Sequence, residues 1–451
     1  MKLVYGVDAK IKDMGFFSTI VFALQQLLAI MAATIAVPAI IGNGMSSTAA
    51  LFGAGIGTLV YLLFTKFKSP VFLGSSFAFI GSMFAAFAGG VSAAAGYLGL
   101  IVGAACAGLV YVVLAICVKF AGVGWINKLM PPVVIGPTVA IIGLSLSSNA
   151  VGDLAKGSVL NEAGAPTASP YVALICGLVT LFVTMIASVY GKKMIKLIPF
   201  IMGILAGYAV ATIFTVIGTV TNNAALMVID FAKFEAMRWV PEFTFLTAFT
   251  GELTFGDGGT LATYIGTVAV AYVPVAFVVF AEHIADHKNL SSIIEKDLLT
   301  EPGLHRTLLG DGIGSFAGSI FGGCPNTTYG ESVGCVAISG NASTATICTT
   351  AIMAMLVSFF GPFATFLSTI PSCVMGGICI ALYGFIAVSG LKMIQAIDLN
   401  QNKNLFVVSV ILIAGVGGLS VSFGKVTITS IACALILGIL TNTIVGKAKG
   451  E

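Results

Sequence analysis

Charge is scarce in this chain. Asp, Glu, Lys and Arg make up 9% of its 451 residues, against about a quarter in an ordinary soluble domain, and that scarcity excludes a soluble enzyme. The 21 basic and 18 acidic residues leave a formal +3 with no basic run and no interleaving of basic and aromatic residues, which excludes nucleic acid as a partner. Cysteines number nine, an odd count, and no Cys-x-x-Cys or Cys/His ligand spacing occurs. They read as small packing residues rather than a disulfide or zinc framework. Histidine occurs three times, His-Glu-x-x-His is absent, and Glu282-His283 lacks the spacing of zinc ligands. No metal site, no cofactor and no enzymatic activity are expected. Residues 1–13 lack the cleavage pattern of a signal peptide, so the first apolar stretch is expected to be retained.

What is present is apolar surface, 58% of the residues, with 32 Phe and 54 Gly. A crossing helix needs about 20 apolar residues, and runs at 17–41, 46–65, 70–88, 94–118, 132–150, 170–190, 195–219, 262–286, 306–322, 326–340, 344–368, 372–391, 404–422 and 424–446 make about fourteen crossings. This is an all-α polytopic membrane protein. Counted from a cytoplasmic N-terminus, the loops holding Lys66/Lys68, Lys119/Lys128, Lys192/Lys193/Lys196, Lys288/Lys296/Arg306, Lys392/Lys403 and Lys447/Lys449 all fall inside. Only Lys156, Lys233, Arg238 and Lys425 fall outside. The bias predicts an even span count and both termini on the cytoplasmic side of the cytoplasmic membrane. Residues 230–257 carry five acids against two bases, fall outside and divide the chain into halves of about seven spans.

The halves rhyme. Pro131 to Gly136 and Pro371 to Gly376 share Pro-x-x-Val-x-Gly at the start of the fifth and twelfth spans. Because seven is odd, the second copy runs inverted across the membrane, an arrangement that places a substrate site at the repeat interface near the midplane. The third and tenth spans read as broken. Pro70-Val71-Phe72-Leu73-Gly74-Ser75-Ser76-Phe77 and Gly322-Gly323-Cys324-Pro325-Asn326-Thr327-Thr328-Tyr329-Gly330-Glu331 are too rich in Gly, Pro and hydroxyl residues for uninterrupted lipid-facing helices. Extended backbone is tolerated at that depth only where it is buried in protein or lines a cavity. Each is expected to hold a short extended segment and then a half-helix whose N-terminal N–H groups face a central pocket.

Four carboxylates cannot be assigned to loops: Glu282, Asp286, Asp311 and Glu331. A charge near the bilayer centre costs at least about 2.5–3.5 kcal/mol, so an intramembrane carboxylate is a functional candidate by default. Glu282 and Asp286 are four apart and share a face of the eighth span, with Asp286 one turn nearer the cytoplasm. Asp286 sits two residues from Lys288 and reads equally well as an interfacial charge. His283 points about 100° away from Glu282 and reads as an interhelix hydrogen-bonding residue. Asp311 reads as a structural tie to Arg306 or to a helix N-terminus. Glu331 directly follows the second break. A carboxylate there accepts from N–H donors while the N–H groups of the break donate to carbonyl oxygens, an array that suits a flat heterocycle with alternating N–H and C=O groups. Phe77, at the matching break, offers a ring face and a backbone N–H.

Several motifs resemble a known family. Phe280-Ala281-Glu282-His283-Ile284, the stretch Pro302 to Gly312, and Asn326-Thr327-Thr328-Tyr329-Gly330-Glu331-Ser332 are similar to the nucleobase/ascorbate transporter family, in its bacterial uracil permease branch. Leu24-Gln25, Ala33-Thr34, Val37-Pro38, Gly74 to Phe79 and Ile370 to Gly377 extend the similarity over nearly the whole chain. The resemblance implies fourteen spans in two inverted seven-span repeats. It implies a core domain (14–121 and 262–368), a gate domain (130–220 and 371–446) and an extracellular connection (221–261). It implies a proton symporter for uracil that works by alternating access, with Glu282, Glu331, Tyr329 and the backbone at Phe77 and Gly330 binding the ring. It also implies a homodimer. Relatives that move xanthine or urate usually carry Gln at the position of Glu331, so Glu here favours uracil. Two departures stand out: relatives with a Glu-His-Ile-Gly-His motif have His in place of Asp286, and a His in place of Gln26. The proton role then passes to Asp286 beside Glu282, to His287, or to neither. The residues themselves leave sodium open as the coupling ion. They also leave open a symporter for xanthine or another nucleobase, and an anion transporter or channel on the same architecture.

Overall fold

All the apolar runs named above are helical for most of their length, and the starts of the helices are written in the sequence. Pro132, Pro170 and Pro199 each open a helix at its first position, where a missing N–H leaves no bond unmade. Ser46, Ser92, Thr260 and Ser343 cap others by accepting from the N–H three residues on. The computed structural model describes residues 3–122, 124–125, 131–161, 164–192, 194–235, 237–256, 259–423, 426–428 and 430–445. Lys128, Lys193, Asp257, Lys425, Lys447 and Lys449 lie outside the described residues.

In the first half, α1 spans Phe16–Ile41, α2 Ser47–Phe64, strand β1 Leu73–Ser75, α3 Ile80–Phe87 and α4 Ala93–Ala121. Then come α5 (Pro132–Ser145), its continuation α6 (Ser147–Asp153), α7 (Pro170–Tyr190) and α8 (Pro199–Val220). The connection between halves holds the short α9 (Thr244–Thr250). The second half runs α10 (Leu261–Ile294), α11 (Leu304–Gly322), β2 (Asn326–Thr328), α12 (Gly330–Ser339), α13 (Thr344–Val357) and α14 (Gly361–Thr369). It ends with α15 (Ser372–Gln395), α16 (Asn402–Val416), β3 (Val421–Phe423), β4 (Val426–Ile428) and α17 (Ser430–Val445). Among the described residues eight helices are long and apolar enough to cross a membrane, and the remaining apolar helices are shorter or broken.

Three runs depart from the expected single helices. Run 344–368 bends by 83° between α13 and α14, because Phe360 is extended and Pro362, in the first turn of α14, cannot continue the helix. The facing ends of the last two runs form the β3–β4 hairpin instead of helix.

The inverted repeat is visible in the packing. Helices α2 and α11, counterparts in the two halves, run antiparallel and nearly touch through glycines. A Cβ on Gly57 would lie 2.7 Å from the Gly314 carbonyl, and one on Gly318 would lie 2.7 Å from that of Gly53. Between lipid-embedded helices there is little hydrophobic drive, so such close van der Waals contact is what holds them. The pair α5 and α15 meets in the same way, Gly136 against Gly390. Helices α1, α2, α4, α10, α11 and α13 pack mainly on one another, and α5, α7, α8, α15, α16 and α17 form a second set.

Candidate functional site

The two breaks meet in the middle of the molecule. Strands β1 and β2 pair antiparallel, with Leu73 opposite Thr328, Gly74 opposite Thr327 and Ser75 opposite Asn326. A three-residue ladder leaves backbone groups over, and side chains take them up as burial demands. Thr58 Oγ1 accepts from Leu73 N at 2.9 Å, Asn326 Nδ2 donates to the Gly53 carbonyl at 3.2 Å, and Ser332 Oγ accepts from Phe72 N at 2.9 Å. The Gln26 amide also reaches the Ser332 hydroxyl. Tyr329 is 4% exposed and donates its hydroxyl to the Ser75 carbonyl at 2.8 Å. Its ring covers Gly74 so closely that a Cβ there would overlap ring carbons. Gly74→Val is therefore expected to displace Tyr329, to lower stability by about 1–3 kcal/mol through overpacking, and to reduce ligand binding with it. Thermal unfolding in detergent read beside binding tests this, and an unaltered melting temperature would contradict it.

Beside this junction lies a cavity of about 400 Å³ between the two helix sets. One wall carries the polar groups Glu282, Asp286, Thr328 and Glu331, with Phe77 and Gly330 beside them. The opposite wall, from α5, α8 and α15, is apolar apart from Ser389. Glu282 and Asp286 project from successive turns of α10, both half-buried, and Glu331 is half-buried in the first turn of α12. The first intrahelical bond of α12 runs from Val333 N to the Tyr329 carbonyl, so the N–H groups of Gly330 and Glu331 precede it and have no helical acceptor. The helix dipole adds partial positive charge at the same point. Asp286 Oδ2 accepts from Thr328 Oγ1 at 2.8 Å. The Phe77 ring stands edge-on to Tyr383 of α15, centroids 6.0 Å apart. Three carboxylates and no Lys or Arg line the cavity, an arrangement that disfavours anions.

All five residues expected to bind substrate, Glu282, Glu331, Phe77, Tyr329 and Gly330, border this one cavity, and so does Asp286. The histidines do not. His283 turns to the opposite face of α10, fully buried, with Nδ1 2.6 Å from Asp311 Oδ2 and Nε2 2.9 Å from Thr307 Oγ1. His287 stacks on it at 4.0 Å, donates from Nδ1 to the His283 carbonyl, and places Nε2 2.7 Å from the Tyr61 hydroxyl. His283 is thus the interhelix tie its position predicted. Asp311 is tied elsewhere than expected: its partner is His283, not Arg306 or a helix N-terminus, because it lies in the middle of α11 on the face packed against α10.

Sequence reasoning does not find the roles of Thr328 and Gln26. What they bond to depends on α10 and on the β1–β2 junction, which no local spacing reports. Gly330-Glu331-Ser332-Val333-Gly334 matches Gly-x-Ser-x-Gly at a strand-to-helix turn. Ser332 is fully buried against Gln26 and Phe72 with no histidine partner, so it is no exposed nucleophile.

Inverted repeats with broken helices around a cavity between two helix sets are an architecture that membrane transporters use. The family model Xan_ur_permease, described as a permease family, matches residues 17–423. The chain belongs to that permease family. It is 39% identical over 446 residues to the uracil permease of Bacillus subtilis (strain 168), covering 96% of this chain and 94% of that one. To the uracil permease of Escherichia coli (strain K12) it is 35% identical over 423 residues, covering 93% and 90%. Among solved structures, the transmembrane domain of the cyanobacterium bicarbonate transporter BicA superposes with a TM-score of 0.62 at 15% identity, covering 97% and 98% of the two chains. SLC26A9 does so with 0.66 at 14% identity, covering 97% and 66%. At that identity these two share the fold alone.

Proposed function

We propose that this protein imports uracil together with protons. The observation that carries the reading is the placement of Glu282 and Glu331 on one cavity wall with the N-terminus of α12. Uracil presents N–H and C=O groups in alternation. Glu331 accepts from ring N–H, the backbone at Gly330 and Phe77 donates to ring oxygens, and Phe77 and Tyr329 bound the ring. The names of the relatives with high identity point to the same substrate. Glu331, in place of the Gln found in xanthine carriers, supports uracil over xanthine.

An ionised Glu282 can only accept, whereas a protonated one also donates to a ring oxygen, so proton and uracil favour each other's binding. Asp286, one turn away, is the second coupling carboxylate. Access then alternates as a core (14–121 and 262–368) moves against a gate (130–220 and 371–446), with 221–261 as an extracellular connection. The cavity between two separately packed helix sets supports this division. Cytoplasmic termini in the cytoplasmic membrane and a homodimer belong to the same reading. The fold neighbours include an anion carrier, but a wall of three carboxylates speaks against an anion here.

The test is uptake of labelled uracil and xanthine into proteoliposomes, with and without an inward proton gradient, in sodium-free buffer. Uracil accumulation that collapses with an uncoupler is expected. Uptake of xanthine alone would overturn the substrate, and indifference to the proton gradient would overturn the coupling.

A further inference from the structure

The geometry points to Thr328 as the positioning residue through which a proton on Asp286 reaches the ligand-binding end of α12; this rests on the uracil–proton reading above. Thr328 Oγ1 donates to Asp286 Oδ2 at 2.8 Å, so a single hydroxyl joins α10 to the extended segment two residues ahead of Gly330. A methyl group on Gly330 would lie 3.9 Å from the other oxygen, Asp286 Oδ1, which places the whole carboxyl group against the start of α12.

The segment between is stiff. Thr328 pairs with Leu73, Tyr329 N donates to the Phe72 carbonyl at 3.2 Å, and the Tyr329 hydroxyl holds Ser75. Leu73 is itself held by Thr58. A displacement at Thr328 therefore reaches the N–H groups of Gly330 and Glu331 with little slack between.

Hydroxyl chemistry supplies the switch. A carboxylate has no proton to give, so beside ionised Asp286 the Thr328 hydroxyl must donate. Once Asp286 carries a proton it can donate to Thr328, which then turns its own hydrogen to another acceptor. The bond reverses polarity, and the small shift of Thr328 Oγ1 that accompanies the reversal is what the stiff segment carries to the start of α12. The other titratable groups around Asp286 are Glu282 on its own helix, Glu331 on α12, Asp311 on α11 and Tyr61 on α2. His283 and His287 face away from the cavity, and Lys288 is exposed. Helices α5, α8 and α15 bring no charged side chain to the cavity, and α17, which also packs on α10, has no acidic or basic residue.

The experiment is titration of uracil binding to the purified full-length protein by calorimetry across pH 5 to 8.5, for wild type, Thr328→Ser and Thr328→Val. Ser keeps the hydroxyl and its profile is expected to superpose on wild type. Val removes the donor to ionised Asp286, so protonation becomes easier and the midpoint is expected to move up by about one pH unit. A merely structural role would weaken binding at every pH without moving the midpoint, and that result overturns the proposal. Should Thr328→Val fail to fold, Asp286→Asn replaces it: loss of one limb of the pH profile is expected, and an unaltered profile overturns the role. A wild type that binds no uracil, or binds it equally at every pH, overturns the symport reading and this role with it. A pH-dependent wild type matched by Thr328→Val overturns Thr328 alone.

Discussion

Glu331→Ala is expected to abolish uracil binding. The carboxylate accepts from the ring N–H groups beside the start of α12, and each lost hydrogen bond to a charged group is worth about 1.5–3 kcal/mol. Two such bonds correspond to a fall of at least about 100-fold in affinity. The variant leaves the backbone N–H groups of α12 in place, so the fold has no reason to change. Equilibrium binding of labelled uracil to the purified variant measures it, and wild-type affinity would place the pocket elsewhere. Glu331→Gln is the informative companion. An amide keeps the shape, replaces an acceptor by a donor, and is expected to weaken uracil while admitting xanthine.

Glu282→Gln is expected to separate binding from coupling. Gln both donates and accepts, as protonated Glu does, so some uracil binding survives, but Gln carries no exchangeable proton between the two sides of the membrane. Accumulation driven by a pH gradient should fall to the level of simple equilibration, and exchange of labelled for unlabelled uracil should continue. In wild type, uptake rises as the outside pH falls, because the loaded form carries the proton; in the variant that slope is shallower, with Asp286 the titrating carboxylate that remains. Unaltered accumulation by Glu282→Gln would remove the residue from the coupling.

These two side chains are legible in the sequence because the bilayer penalises charge so heavily. In a chain with 18 acidic residues, only a few fail to fit a loop, and a carboxylate inside an apolar run needs a reason to be there. The broken spans are legible for a related reason, since Gly, Pro and hydroxyl residues at membrane depth imply backbone held by protein. The 83° bend between α13 and α14 and the β3–β4 hairpin are not legible, because a continuous apolar run reports hydrophobicity and is silent about direction.

The partner of Asp311 shows the same limit from the side of charge. Sequence proximity favours Arg306, five residues away, but a helix turns through most of a circle and a half over that distance, and the packed face of α11 looks toward His283. His287, a candidate for the proton by sequence, is bonded to Tyr61 on the side of α10 away from the cavity.

The sequence by itself determined the solvent, the helical segments, the inverted halves and the residues worth suspecting, because hydrophobic length, backbone-breaking residues and buried charge act locally along the chain. Only the tertiary structure decided which suspects meet. The pairing of Leu73–Ser75 with Asn326–Thr328, the reach of Thr328 to Asp286 and the turning of His283 and His287 away from the cavity all join residues far apart in sequence or set by helix rotation. Such contacts are fixed by how closely α2 and α11 can approach through Gly53, Gly57, Gly314 and Gly318, a packing property of two surfaces together that neither segment carries alone.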